Sequence, residues 1–154
     1  GQLFTALVTA PPDAPTDPAS VAPAPPESGG PRASLLRRAD GTVAPVSSGT
    51  AIFPDGRTQH LSAADVQVDV LDHWPSQTSG GRYPSRWRLT VPALDLSLDL
   101  RPLLPDQELT TSHSTQVTYW EGAVEISGRL RGAPVTGQGY VELTGYAKPI
   151  KKRL

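Results

Sequence analysis

The sequence predicts an all-β protein, an antiparallel barrel or sandwich of about eight strands, and three observations carry that prediction. Period-two alternation dominates the chain after residue 33, most clearly where Leu94, Leu96, Leu98 and Leu100 oppose Asp95, Ser97, Asp99 and Arg101. Turn residues break it at short intervals, at Asp40-Gly41, Asp55-Gly56, Pro92-Ala93 and Arg131-Gly132. No segment long enough for a helix shows the helical period.

Taken in order, the chain opens with an apolar run, Leu3 to Val8, whose end at Val8-Thr9-Ala10 faintly matches the small-residue end of a signal peptide. Pro11 to Pro31 is then dominated by Pro, Ala, Ser and Gly, which supply too little apolar area to offset the entropy of ordering. Residues 1–32 are therefore expected to form a disordered Pro/Ala-rich segment, and residues 33–154 a β-barrel domain. Strands are expected near Leu35 to Arg38, Val43 to Phe53 and Gln59 to Leu61, with a short turn at Ser62 to Asp65. Val66, Val68 and Val70 alternate with polar residues, Pro75 to Gly81 forms a polar loop, and Trp87, Leu89 and Val91 oppose Arg86, Arg88 and Thr90. Pro102 and Pro105 end the leucine strand. Tyr119 to Tyr146 then reads as one long hairpin turning at Arg131-Gly132, with Trp120, Gly122, Val124, Ile126, Gly128 and Leu130 on one face. The many glycines inside its strands suggest curvature or bulges, as in a barrel.

Composition narrows the class. A length of 154 residues suits one domain with one core. A formal charge of -1 gives no overall field favouring nucleic acid, and no apolar stretch is long enough to span a bilayer as a helix. The basic runs Arg37-Arg38 and Lys148 to Arg153 read as solvated ends. The chain has neither cysteine nor methionine, so it lacks thiol chemistry and is expected to be an internal or processed piece, or an incomplete reading frame.

The Tyr119-Trp120-Glu121-Gly122-Ala123-Val124 start and the Gly139-Tyr140-Val141-Glu142-Leu143-Thr144-Gly145-Tyr146 end resemble the closing strands of the AttH and carotenoid 1,2-hydratase family, often labelled predicted secreted hydrolases. Asp55-Gly56-Arg57 with His60-Leu61-Ser62, then Arg82-Tyr83-Pro84, Arg86-Trp87-Arg88-Leu89 and Asp106-Gln107-Glu108-Leu109, fit the same family in order. The resemblance runs from about Leu35 to Ala147 and implies the second of two tandem lipocalin-like barrels, so that a preceding lipocalin-like domain is expected as a partner. It also implies a secreted or periplasmic bacterial protein and an apolar, isoprenoid-like small molecule as ligand or substrate.

Adding water to an isolated C=C bond requires a carboxylic acid of raised pKa in a dry cavity, with aromatic faces to stabilise the cation. Glu121, flanked by Trp120 in the shared motif, and Glu142, near Tyr140, are the candidate catalytic acids. Trp87, Tyr119, Trp120 and Tyr140 are the candidate ligand-binding residues. The competing structural expectation pairs both glutamates with Arg86, Arg88 or Arg129 across the sheet and buries the tryptophans in the core. His60, His73 and His113 lie at no metal-ligand spacing, the nucleophile motif Gly-x-Ser-x-Gly is absent, and no cofactor is implied. The expected function is binding or hydration of an apolar isoprenoid-like molecule, and the alternatives are a non-catalytic ligand-binding or scaffolding barrel, or an inactive fragment.

Overall fold

A computed structural model describes residues 2–9, 31–34, 48–111 and 117–147. Ten strands occur among them: β1 (Gln2–Thr9), β2 (Pro31–Ser34), β3 (Ser48–Ile52), β4 (Thr58–Ser62), β5 (Gln67–Pro75), β6 (Arg82–Val91), β7 (Leu96–Pro102), β8 (Glu108–Thr110), β9 (Thr118–Leu130) and β10 (Ala133–Thr144). The only helical element among the described residues is a single 3-10 turn, Pro92–Leu94, which makes the corner expected of Pro92-Ala93.

The strands form an all-antiparallel, lipocalin-like meander. One sheet runs β1-β10-β9-β7-β6-β5, with β8 paired to the end of β9, and a second runs β2-β3-β4. β2 lies alongside β1, so the three-stranded sheet follows the larger one around a shared core. The hydrogen-bonded ladders do not close into a complete barrel among the described residues. The hairpin expected from Tyr119 to Tyr146 is present, with β9 and β10 in continuous register from Tyr119 opposite Thr144 to Leu130 opposite Ala133. Its turn places Arg131 at φ 52 and Gly132 at φ 78, the left-handed pair of a tight hairpin turn.

Alternation decides what is buried. Trp87, Leu89 and Val91 of β6, Leu96, Leu98 and Leu100 of β7, and Trp120, Val124 and Ile126 of β9 all enter one core, joined by Ala51 and Leu61 from the smaller sheet. Trp87 and Trp120 meet at its centre, ring centroids 6.2 Å apart and planes tilted by 55°. That tilted contact suits the quadrupoles of two large rings and fills the interior.

Within the 1–32 span expected to be disordered, residues 2–9 form β1, an edge strand paired with β10 from Gln2 opposite Leu143 to Thr9 opposite Thr136. Strand β2 starts at Pro31, inside the same 1–32 span. Gly122 marks no bulge, because the β9–β10 register passes through it unbroken. Instead, a Cβ there would lie 2.1 Å from the side chain of Gln107, so glycine is needed to admit that amide. The expected linker between Pro11 and Pro31, the strand near Leu35, the Asp40-Gly41 turn, His113 and the basic run at Lys148 to Arg153 fall wholly or largely outside the described residues.

Candidate functional site

Strand β9 carries the candidate residues on both faces, and its alternation sorts them. Trp120 points inward and is 1% exposed, with its indole Nε1 donating to the Pro105 carbonyl at 2.8 Å. Trp87 is equally buried. Both tryptophans are core residues that tie the sheet together.

The other four candidates converge on the outer face. Glu121 and Glu142 are direct cross-strand partners on β9 and β10, and Tyr119 sits opposite Thr144 in the same ladder. The Tyr140 hydroxyl donates to Glu121 Oε1 at 2.8 Å. That bond and burial, together with the negative charges of Glu121 and Glu142, push the Tyr140 phenol up to about 12. Tyr140 thus stays protonated as a donor throughout the neutral range. Neither glutamate has an ion pair among the described residues, and two of the three arginines expected to pair with them are engaged elsewhere. Arg88 holds Asp99 through two hydrogen bonds of 2.9 and 3.1 Å, and Arg129 donates to the Gly132 carbonyl. Leu109, Val117 and Tyr140 are large exposed apolar side chains at this end of the sheet, so the acidic pair stands beside apolar surface.

A second polar cluster was not legible as a site in the sequence. Glu108 of β8 accepts hydrogen bonds from Ser76 at 2.5 Å, from Tyr83 at 2.7 Å and from Ser79. Burial alone would raise the Glu108 pKa, but the three hydroxyl donors outweigh it and hold the carboxyl below its ordinary value. Burial and the Glu108 bond push the Tyr83 phenol well above its usual range. Tyr83 packs between Trp74 and Tyr146, with centroids 6.0 and 5.8 Å away. The cluster pins the Ser76 to Gly81 loop onto β8. Its sequence signal was the pair of blocks Arg82-Tyr83-Pro84 and Asp106-Gln107-Glu108-Leu109, which the fold brings together.

Gln107 completes the frame. Its Oε1 accepts from the Ala123 amide at 3.0 Å and its Nε2 donates to the carbonyls of Leu104 and Ala123, while its own carbonyl accepts from the Glu121 amide. The backbone of Glu121 to Ala123 is therefore held by one side chain seated over Gly122. Among the described residues no group of three or more His, Cys, Asp or Glu converges as a metal site, and no helix is long and apolar enough to cross a membrane.

The AttH-like family model matches residues 32–146. Among solved structures, a protein assigned as an AttH from Nitrosomonas europaea superposes with a TM-score of 0.64 and 29% identity, over 77% of this chain and 35% of that one. Kievitone hydratase from Nectria haematococca superposes with a TM-score of 0.62 and 19% identity, over 95% of this chain and 40% of that one. The chain thus spans well under half the length of either. No curated protein matches it.

Proposed function

The chain belongs to the AttH-like family, and we propose that it forms a lipocalin-like domain whose outer face supplies one wall of a site that binds and hydrates an apolar, isoprenoid-like substrate. One observation carries the proposal: Glu121 and Glu142 stand directly opposite each other, free of ion pairs among the described residues, with the Tyr140 hydroxyl on Glu121 and exposed apolar side chains nearby. In this proposal Glu121 protonates the alkene carbon, Tyr140 orients the Glu121 carboxyl, and Glu142 takes the proton from the attacking water. Tyr119 provides the aromatic face toward the developing cation. Hydration is also the activity in the name of kievitone hydratase, a fold neighbour. The wall is open to water in this chain, so a covering surface from the rest of a longer protein, which the family resemblance places in a preceding lipocalin-like domain, would supply the dry environment. A secreted or periplasmic location belongs to the same proposal.

The test is acid-dependent hydration of an acyclic carotenoid or a related isoprenoid alkene. Glu121→Gln is expected to abolish turnover while leaving the fold intact. Turnover unchanged in that variant rejects the acid role. A second reading is a non-catalytic ligand-binding or scaffolding barrel, and the interior that Trp87 and Trp120 fill leaves the outer face as the place for any ligand. Binding of the alkene without turnover, indifferent to Glu121→Gln, would favour that reading.

A further inference from the structure

Two adjoining grooves are lined by residues of β5, β6, β7, β9 and β10, and neither includes Glu121. The first, of about 550 Å³, is lined by Arg86, Asp99, Arg101 and Glu125 with Leu103 and Gln138 among its walls. The second, of about 450 Å³, is lined by Asp72, His73, Trp74, Pro102 and Pro105. Arg86 and Arg101 line both.

The two arginines come together through strand register. Trp87 pairs with Leu100, and one further step along each antiparallel strand sets Arg86 beside Arg101. Like charges opposite each other destabilise a sheet unless something neutralises them. The neighbouring carboxylates do so incompletely. Asp99 gives both oxygens to Arg88, a pairing that also holds its carboxyl below the ordinary range. Glu125 reaches Arg101 only at 3.9 Å, with both side chains more than half exposed. Asp72, opposite Arg86, turns one oxygen to the backbone amide of His73. The Arg86 side chain, half-buried, makes no hydrogen bond or ion pair among the described residues. Each guanidinium carries five N–H donors in a planar fork, and both residues line the two grooves.

We propose that Arg86 and Arg101 form a binding site for an oxyanion, a phosphate or carboxylate group, carried on a flat apolar body that lies along Trp74, Pro102 and Pro105. The oxyanion bridges the two guanidiniums and relieves their repulsion. Charge-assisted, two-point bonding of this kind is what arginine does better than lysine. Trp74, half-buried and stacked on Tyr83, lines the second groove with Pro102 and Pro105 and gives it an apolar wall next to the cations. The site is independent of the hydration proposed above, because neither groove includes Glu121, Glu142 or Tyr140.

Calorimetric titration of the full chain with phenyl phosphate, benzoate, inorganic phosphate and benzyl alcohol tests it. Phenyl phosphate or benzoate should bind, inorganic phosphate more weakly, and neutral benzyl alcohol not detectably. Preference for phenyl phosphate identifies a phosphoryl ligand, and preference for benzoate identifies a carboxylate; either supports the site. Arg86→Gln and Arg101→Gln should each weaken binding about tenfold or more, the scale of one lost charge-assisted hydrogen bond. Arg129→Gln, on the same face but bonded to Gly132, should leave it unchanged. Trp74→Leu should reduce phenyl phosphate to the level of inorganic phosphate. The site is overturned if no anion binds, if benzyl alcohol binds as well as the anions, or if both glutamine variants bind like the parent.

Discussion

On the inner face of the β9–β10 hairpin, Trp120, Val124, Ile126, Val141 and Leu143 are each no more than 3% exposed. On the outer face of the same two strands, Tyr119, Glu121, Tyr140 and Glu142 all keep contact with water, and Tyr140 is 45% exposed. Both faces follow from one alternation and one register. Apolar burial holds the inner face together at roughly 25 cal/mol per Å². The outer face gains little stability and is free to hold groups that a core would reject, such as two carboxylates opposite each other. Stability and candidate chemistry are thus separated by the thickness of one strand, and variants on the two faces should differ in what they change.

The largest effect belongs to the inner face. Trp120→Ala should cost about 3 to 5 kcal/mol, the range for deleting a buried large aromatic. It also removes the hydrogen bond that ties β9 to Pro105. Denaturant unfolding measures it, and a loss below about 1 kcal/mol would mean that the inner face is not where the stability lies. Next comes Gly122→Ala, which should cost about 1 to 3 kcal/mol because the new methyl displaces the Gln107 amide from its three partners. In a Gln107→Ala background the same change should cost much less. A double-mutant cycle showing no coupling would separate the glycine from the amide.

These two variants also mark what the sequence could and could not reveal. The core was legible because Trp87, Leu96, Leu98, Trp120, Val124 and Ile126 each sit on the apolar side of an alternating strand, and alternation is a local property. The role of Gly122 was not, because its reason is a side chain fifteen residues upstream that reaches it only after the chain folds. Strand β1 was missed for the same kind of cause: Gln2–Thr9 lies beyond a proline-rich stretch, and only long-range pairing with β10 makes it a strand. At the candidate site, the outward placement of Glu121 and Glu142 followed from periodicity. Their opposition across the ladder required the register, which the Arg131-Gly132 turn sets. The Glu108 cluster lay hidden because its four members come from three separate stretches of chain.

That cluster belongs to neither face and tests whether polar groups contribute stability only when buried and partnered. Glu108→Gln should cost about 1 to 3 kcal/mol near neutral pH, as the carboxylate that satisfies three hydroxyls is lost. The pH dependence has a definite sign. Glu108 is held below its ordinary value of 4.5, so the unfolded chain binds its proton more readily. The stabilisation is present above about 4.5 and fades as pH falls through the folded value. The gap between parent and variant should therefore narrow on acidification below 4.5. A gap that stays constant down to the acid unfolding transition would show that the carboxylate charge plays no part.

The smallest effect on stability is expected on the outer face, where the readout has to be ionisation. Tyr140→Phe should change unfolding free energy by no more than about 0.5 kcal/mol, since a hydrogen bond open to water exchanges with solvent at little net gain. The phenol itself reports more. Its pKa lies near 12 because ionising it would break the bond to Glu121 and set a phenolate against the carboxylate, with Glu142 adding to the repulsion. In Glu121→Gln both contributions shrink, because a neutral amide still accepts the bond but carries no charge. The Tyr140 value should then fall toward the ordinary 10.0. Glu142→Gln should lower it less, as that carboxylate acts only through space. Titrating the ring carbon bonded to the hydroxyl by NMR, with the four tyrosines assigned, separates Tyr140 from Tyr83, whose elevation comes first from burial and should persist in both variants. If Tyr140 instead titrates near 10 in the parent protein, the outer face holds two unconnected side chains, and the orienting role given to Tyr140 is lost with the bond.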